Sequence, residues 1–220
     1  MKYFEYSNIG NRTSNQDFVL STCTEQNNSS FIVADGMGGY QEGALAAKIV
    51  AEVTLENLNK GFDIAYAIGK ANEKLSLMKE KLSVQKMGCC IAGIQIKDNI
   101  GHIFWCGDSR VYLFRNKELL LKTEDHSLIA KLEKQNKLTS TQKRRYEHVV
   151  YRAIMGEETD IVDEREVILL PGDEIFICSD GIYKKFEVLS LLNLMEREDF
   201  DLTEHNTKFE DNHSFIYIKF

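Results

Sequence analysis

Four aspartates and one arginine carry the chemistry that can be read from this chain. Asp35 follows the apolar run Phe31-Ile32-Val33-Ala34 in FIVADGMGG, Asp180 follows the apolar run EIFIC in SDGI, Asp211 precedes a β-like run in EDNHS, and Asp108 lies in the turn CGDSR. Each thus sits at the start or end of a predicted strand. Carboxylates brought together at sheet ends repel one another and raise each other's pKa unless a cation is bound, and a hard divalent ion with oxygen ligands meets that need. The glycines after Asp35 invite a phosphate-loop reading, yet no lysine follows them, and an unpaired carboxylate would face the phosphate. A cation between carboxylate and phosphate removes that conflict. For this stretch alone, a plain tight turn beginning with Asp is an equal reading. Zinc is disfavoured because the cysteines and the five histidines have no ligand spacing.

The elements that position these groups change period along the chain. Lys2–Ser7 and Asp17–Thr22 read as short strands, with the polar turn NIGNRTSNQ placing Arg12 and Asp17 near their ends. Glu42–Asn59 and Asp63–Ser83 have helical periodicity, and Gly61 suits the stop between them. From Cys89 the runs CCIAGIQI, HIFWC, RVYLF and ELLLK predict antiparallel strands joined by hairpins. The segment 125–156 is polar, with weak helical character at Leu128–Leu132, and reads as a surface excursion. Glu166–Leu170, Glu174–Cys178 and His213–Phe220 predict further strands, and Glu187–Glu196 a helix.

The 220 residues suit one mixed domain, with 43% hydrophobic and 28% charged residues and a single proline. A net charge of −7 disfavours a protein that wraps nucleic acid, and the one basic cluster, Lys143-Arg144-Arg145, is read as a solvated face. Five cysteines without CxxC spacing read as buried free thiols in a reducing, cytoplasmic setting. No segment reaches bilayer-spanning length, so no membrane partner is expected.

Taken in order, GNRTSNQD, VADGMGG, MGCC, CGDSRVYLFRNKEL, TEDHS, YRAIMG, GDEIFICSDG and DNHSFIYI resemble the motifs of the PPM family, the metal-dependent type 2C serine/threonine protein phosphatases, and more closely its bacterial branch. The resemblance runs along nearly the whole chain. It implies an α+β fold, a four-layer α/β/β/α sandwich of two mostly antiparallel sheets flanked by helices, over a single catalytic domain 1–220 with 125–156 as a flap-like segment. It implies two Mn²⁺ or Mg²⁺ ions, with Asp35 bridging them, the Gly36 carbonyl, Asp180 and Asp211 as further ligands, and Asp108 as half of a weaker third site. Asp17 matches the family acid that holds metal-bound water, and Arg12 the arginine that grips the substrate phosphate through a fork lysine cannot reproduce. The implied reaction is hydrolysis of phosphoserine or phosphothreonine by direct attack of a metal-bridging water. The implied partners are a phosphorylated protein and a cognate Ser/Thr kinase, and the expected state is a monomer. Rival readings are a catalytically weak pseudophosphatase that binds phosphoproteins, and a hydrolase of small phosphorylated metabolites.

The chain departs from that pattern in places. Met37 stands where eukaryotic members have a histidine. Gln16 replaces a frequent Glu, and Ser214 a frequent Thr. Cys89 and Cys90 replace hydroxyl residues and read as core packing rather than a redox pair. The interval from Asp180 to Asp211 is short. Lys184 stands where many active members have an acidic residue near a third metal; it is expected either to weaken that ion or to take its place by pairing with Asp108, unless it simply points to solvent.

Overall fold

The computed structural model describes residues 1–23, 28–38, 40–135, 139–195 and 209–220. Ten described strands form two five-stranded antiparallel sheets. The first has the order β1 (Lys2–Asn8), β10 (His213–Lys219), β9 (Glu174–Cys178), β6 (Arg110–Arg115) and β7 (Glu118–Lys122). The second has the order β2 (Asp17–Cys23), β3 (Asn28–Gly38), β4 (Met87–Lys97), β5 (Ile100–Cys106) and β8 (Asp163–Ile168).

Period-two alternation sorts the side chains of these strands between layers. Phe31 and Val33 of β3 meet Ile175 and Ile177 of β9 and Ile216 and Ile218 of β10 between the sheets. The intervening Ile32 and Ala34 face a second core built with α1 (Tyr40–Asn59) and α2 (Ile64–Leu82). On the far side, Phe176 and Phe215 pack with Val188, Leu191 and Leu192 of α6 (Val188–Met195). The result is the expected four-layer α/β/β/α sandwich. Asp63 caps α2 by accepting from the Tyr66 N–H at 2.7 Å, and Ser83 ends it in the left-handed region at φ 54°.

Three elements differ from the sequence reading. β3 does not stop at Asp35-Gly36 but runs on to Gly38, because β4 extends far enough to pair Asp35 with Cys90, Gly36 with Cys89 and Gly38 with Met87. β8 begins at Asp163 instead of Glu166. It is an edge strand whose charged, exposed residues pair with β5, and such charge guards an edge while hiding the strand pattern. The polar excursion holds two short helices, α3 (Leu128–Lys134) and α4 (Ser140–Tyr146), the second started by a Thr139–Gln142 capping box. Gly39, and residues 196–208 of the short interval before Asp211, lie outside the described residues.

Candidate metal and phosphate site

The alternation that builds the inter-sheet core also builds the site. Asp35 continues the Phe31 and Val33 row, and Asp17 is its direct cross-strand partner, so both carboxylates share the face that looks into the gap between the sheets. From the other sheet, Ser179 continues the Ile175 and Ile177 row, and Ser214 the Ile216 and Ile218 row. Ser179 ties the two sheets together at this end. Its Oγ donates to Asp17 Oδ2 at 2.7 Å and accepts from the Ser214 N–H at 3.0 Å.

The remaining acids come from the chain segments capping this end. Asp180 opens α5 (Asp180–Tyr183), Asp211 precedes β10, and Asp108 lies in the turn between β5 and β6. The structure brings all five together. Burial pushes the Asp35 carboxyl well above the usual carboxylate range, and Asp17, Asp180, Asp108 and Asp211 push it further. Asp17 is raised to about 7, mainly by burial, and Asp108 to about 6 by burial and then by Asp180. These are buried acids that water does not screen and that, among the described residues, no lysine or arginine fully neutralises.

Two cations do reach the cluster. Arg12 Nη2 donates to Asp211 Oδ2 at 2.7 Å, with the Arg12 side chain 56% exposed. Lys184 donates to Asp180 Oδ2, one helical turn away, rather than to Asp108. The lysine therefore neither points to solvent nor makes the expected pair. Among the described residues, no group of three or more His, Cys, Asp or Glu side chains is gathered closely enough to hold a metal ion as it stands.

The residues nevertheless fit a hard divalent cation. The donors are oxygen only, the carboxylates repel one another, and the buried Asp17 Oδ1 has no hydrogen-bond partner among the described residues. Gly36 keeps the backbone close, since a Cβ there would lie 2.1 Å from the Gly43 carbonyl oxygen and 2.8 Å from that of Gln16.

Other residues named by the sequence reading have structural work. Cys89 and Cys90 are buried, and burial raises both thiols well above their usual range, which suits packing and not redox exchange. His126 is buried and pins the turn that carries Asp108: its Nδ1 accepts from the Gly107 N–H at 3.1 Å and its own N–H donates to the Gly107 carbonyl at 2.8 Å. His148 is exposed beside Glu147.

Two supporting residues escaped the sequence reading. Ser179 was signalled by the alternation of EIFICS, which places it on the same face as Ile175 and Ile177. Asn212 had no such signal. Its Oδ1 accepts from the Gln16 N–H at 2.9 Å, and its Nδ2 donates to the carbonyls of Ile9 at 2.8 Å and Ser14 at 3.0 Å. The loop carrying Arg12 is thereby stitched to the segment that carries Asp211 just before β10.

A double sheet sandwich with a buried, oxygen-only acid cluster at one end, and an exposed arginine beside it, defines a class: hydrolases that use divalent ions on phosphate esters. The family model for protein phosphatase 2C matches residues 5–212. The chain belongs to the protein phosphatase 2C family and is a protein phosphatase. It is 28% identical over 182 residues to the protein phosphatase PhpP of Streptococcus pneumoniae, covering 78% of this chain and 74% of that one. With the serine/threonine phosphatase stp of Listeria monocytogenes it shares 26% identity over 216 residues, 89% of this chain and 86% of the relative. Its fold matches the catalytic domain of the serine/threonine protein phosphatase PstP, solved in complex with two manganese ions, with a TM-score of 0.81 at 23% identity over 98% of this chain and 96% of that one. No helix among the described residues is long and apolar enough to cross a membrane.

Proposed function

We propose that this phosphatase hydrolyses phosphoserine and phosphothreonine in proteins at the acid cluster, with Asp35, the Gly36 carbonyl, Asp180 and Asp211 holding two Mn²⁺ or Mg²⁺ ions. The observation that carries the reading is the buried Asp35 carboxyl with four other aspartates around it, raised first by burial and then by their charge. Divalent ions bound there would supply an acidified, oriented water for in-line attack on phosphorus and would neutralise charge on the phosphoryl oxygens. The chain's own residues do the rest. Asp17, held through Oδ2 by Ser179, keeps Oδ1 free to accept from that water and fix its direction. Arg12 keeps one arm on Asp211 and turns its exposed guanidinium to the phosphoryl oxygens. Met37 has no proton to give, so solvent water protonates the leaving alkoxide.

The PhpP and stp relatives, named as phosphatases, support a phosphoprotein substrate, and a cognate Ser/Thr kinase is the partner that would supply it. Residues 125–156 are read as a flap-like part of a single 1–220 catalytic domain that selects among substrates, a reading supported by the Arg110–Asp125 pair that ties the start of this segment to β6, just after Asp108. The protein acts as a cytoplasmic monomer in this reading.

The test is phosphate release from a phosphothreonine peptide and from p-nitrophenyl phosphate, with Mn²⁺ or EDTA, by wild type and Asp35→Asn. Metal-dependent release lost in the variant is expected. Tight phosphopeptide binding with no release in wild type would replace the enzyme with a phosphoprotein-binding regulator.

A further inference from the structure

Lys184 lies at the acid cluster as a tethered cation. It follows Asp180 by one helical turn, and its ammonium bonds Asp180 Oδ2. The backbone around it is fixed. The Lys184 N–H donates to the Asp180 carbonyl at 3.0 Å, and the preceding Tyr183 is held by its hydroxyl on the Asp108 carbonyl at 2.9 Å. Arg110, the next cation along, is committed elsewhere: its guanidinium lies 3.3 Å from the Tyr183 ring centroid and bonds both Asp125 oxygens at 2.7 and 2.6 Å.

We propose that Lys184 is a built-in cation of the acid cluster, taking the position between Asp180 and Asp108 that a further divalent ion would otherwise occupy. The inference rests on the metal-site reading above. Charge balance argues for it. With divalent ions bound, all five carboxylates would be ionised, and set against Arg12 and Lys184 they would leave three negative charges. Two divalent ions bring the cluster to one positive charge, and a third would take it to three, in a buried setting where such an excess is poorly screened. Geometry agrees, because the ammonium sits directly on Asp180 and its positive charge also acts on Asp108 and Asp35. A carboxylate oxygen in a charge-assisted bond to a tethered ammonium is not free for a metal. The other oxygen of Asp180 stays available to the two-ion centre.

The experiment counts Mn²⁺ bound to the full chain by equilibrium dialysis, with free Mn²⁺ read by electron paramagnetic resonance, for wild type, Lys184→Arg, Lys184→Met and Lys184→Asp. Wild type and Lys184→Arg are expected to bind the same number of ions. Lys184→Asp gains one equivalent, and Lys184→Met binds its weakest ion more tightly, on the order of tenfold for one removed charge. Equal counts and affinities in all four forms would overturn the proposal while leaving the metal site standing. Failure of every form to bind Mn²⁺ would overturn both.

A measurement on unaltered protein covers the case of a variant that does not fold. Lys184 should remain protected from acetic anhydride, read by mass spectrometry, with and without saturating Mn²⁺. Acylation that rises when Mn²⁺ is added would show the ion displacing the ammonium, contrary to the proposal.

Discussion

Replacing Asn212 by alanine tests whether the loop that carries Arg12, proposed above to grip the phosphate, depends on one buried side chain. Asn212 is only 6% exposed and makes three hydrogen bonds to backbone groups of the loop, at 2.8, 2.9 and 3.0 Å. At about 0.5–1.5 kcal/mol net each, their loss costs roughly 2–4 kcal/mol, with the lower half favoured where water can reach the freed Ile9 and Ser14 carbonyls. The Gln16 N–H is the costlier loss, because the carbonyl of that residue accepts from the Gly36 N–H at 3.1 Å and so links the loop to β3, which carries Asp35. Urea unfolding followed by circular dichroism should show a fall of about 2–3 kcal/mol at unchanged slope. Steady-state assays with a phosphopeptide should show a raised KM, since the loop that positions Arg12 is loosened while the acid cluster remains. A stability change below about 0.5 kcal/mol, the ordinary range for a surface substitution, would refute the assignment of Asn212 as the clasp.

Two further outcomes follow from the same geometry. Gly36→Ala forces a Cβ to 2.1 Å from the Gly43 carbonyl oxygen, backbone against backbone, so thermal melting should show severe destabilisation, whereas Gly69→Ala in α2, with nothing within 4 Å of the added carbon, should stabilise by about 0.5–1 kcal/mol. The metal-free protein should lose stability as pH rises toward 7: Asp17 holds its proton to about 7 in the fold against 3.8 ordinarily, so the native state binds more protons across that window and the slope is negative. Burial lowers His126 and His213, which gives the opposite slope below about 6.5, so denaturant melts in EDTA between roughly pH 6.5 and 7.5 isolate the carboxylates. Saturating Mn²⁺ should abolish or reverse that slope, and a rising slope in EDTA would contradict the repulsion ascribed to the cluster.

The layers were legible because alternation and helical period are local properties of the sequence. The order of the PPM-like motifs pointed to Arg12, Asp17, Asp35, Asp108, Asp180 and Asp211, and the fold does gather the five acids at one end of the sandwich. What stayed hidden depends on register and on distant partners. That β3 runs past Asp35 is a consequence of the length of β4, fifty residues on, and the pattern of FIVADGMGG cannot report it. Ser179 was half-visible, since the alternation of EIFICS gives its face but not its bond to Asp17, which crosses from one sheet to the other. Asn212 and Lys184 were hidden for the same reason in opposite senses. Asn212 finds partners some two hundred residues away, and no local pattern marks it. Lys184 was expected to pair with Asp108, across the site, but finds the nearer carboxylate of Asp180, because a helical turn brings residues four apart together at little entropic cost. A motif states which groups reach the end of the sheets. Which cation meets which carboxylate there is decided by the backbone that delivers them.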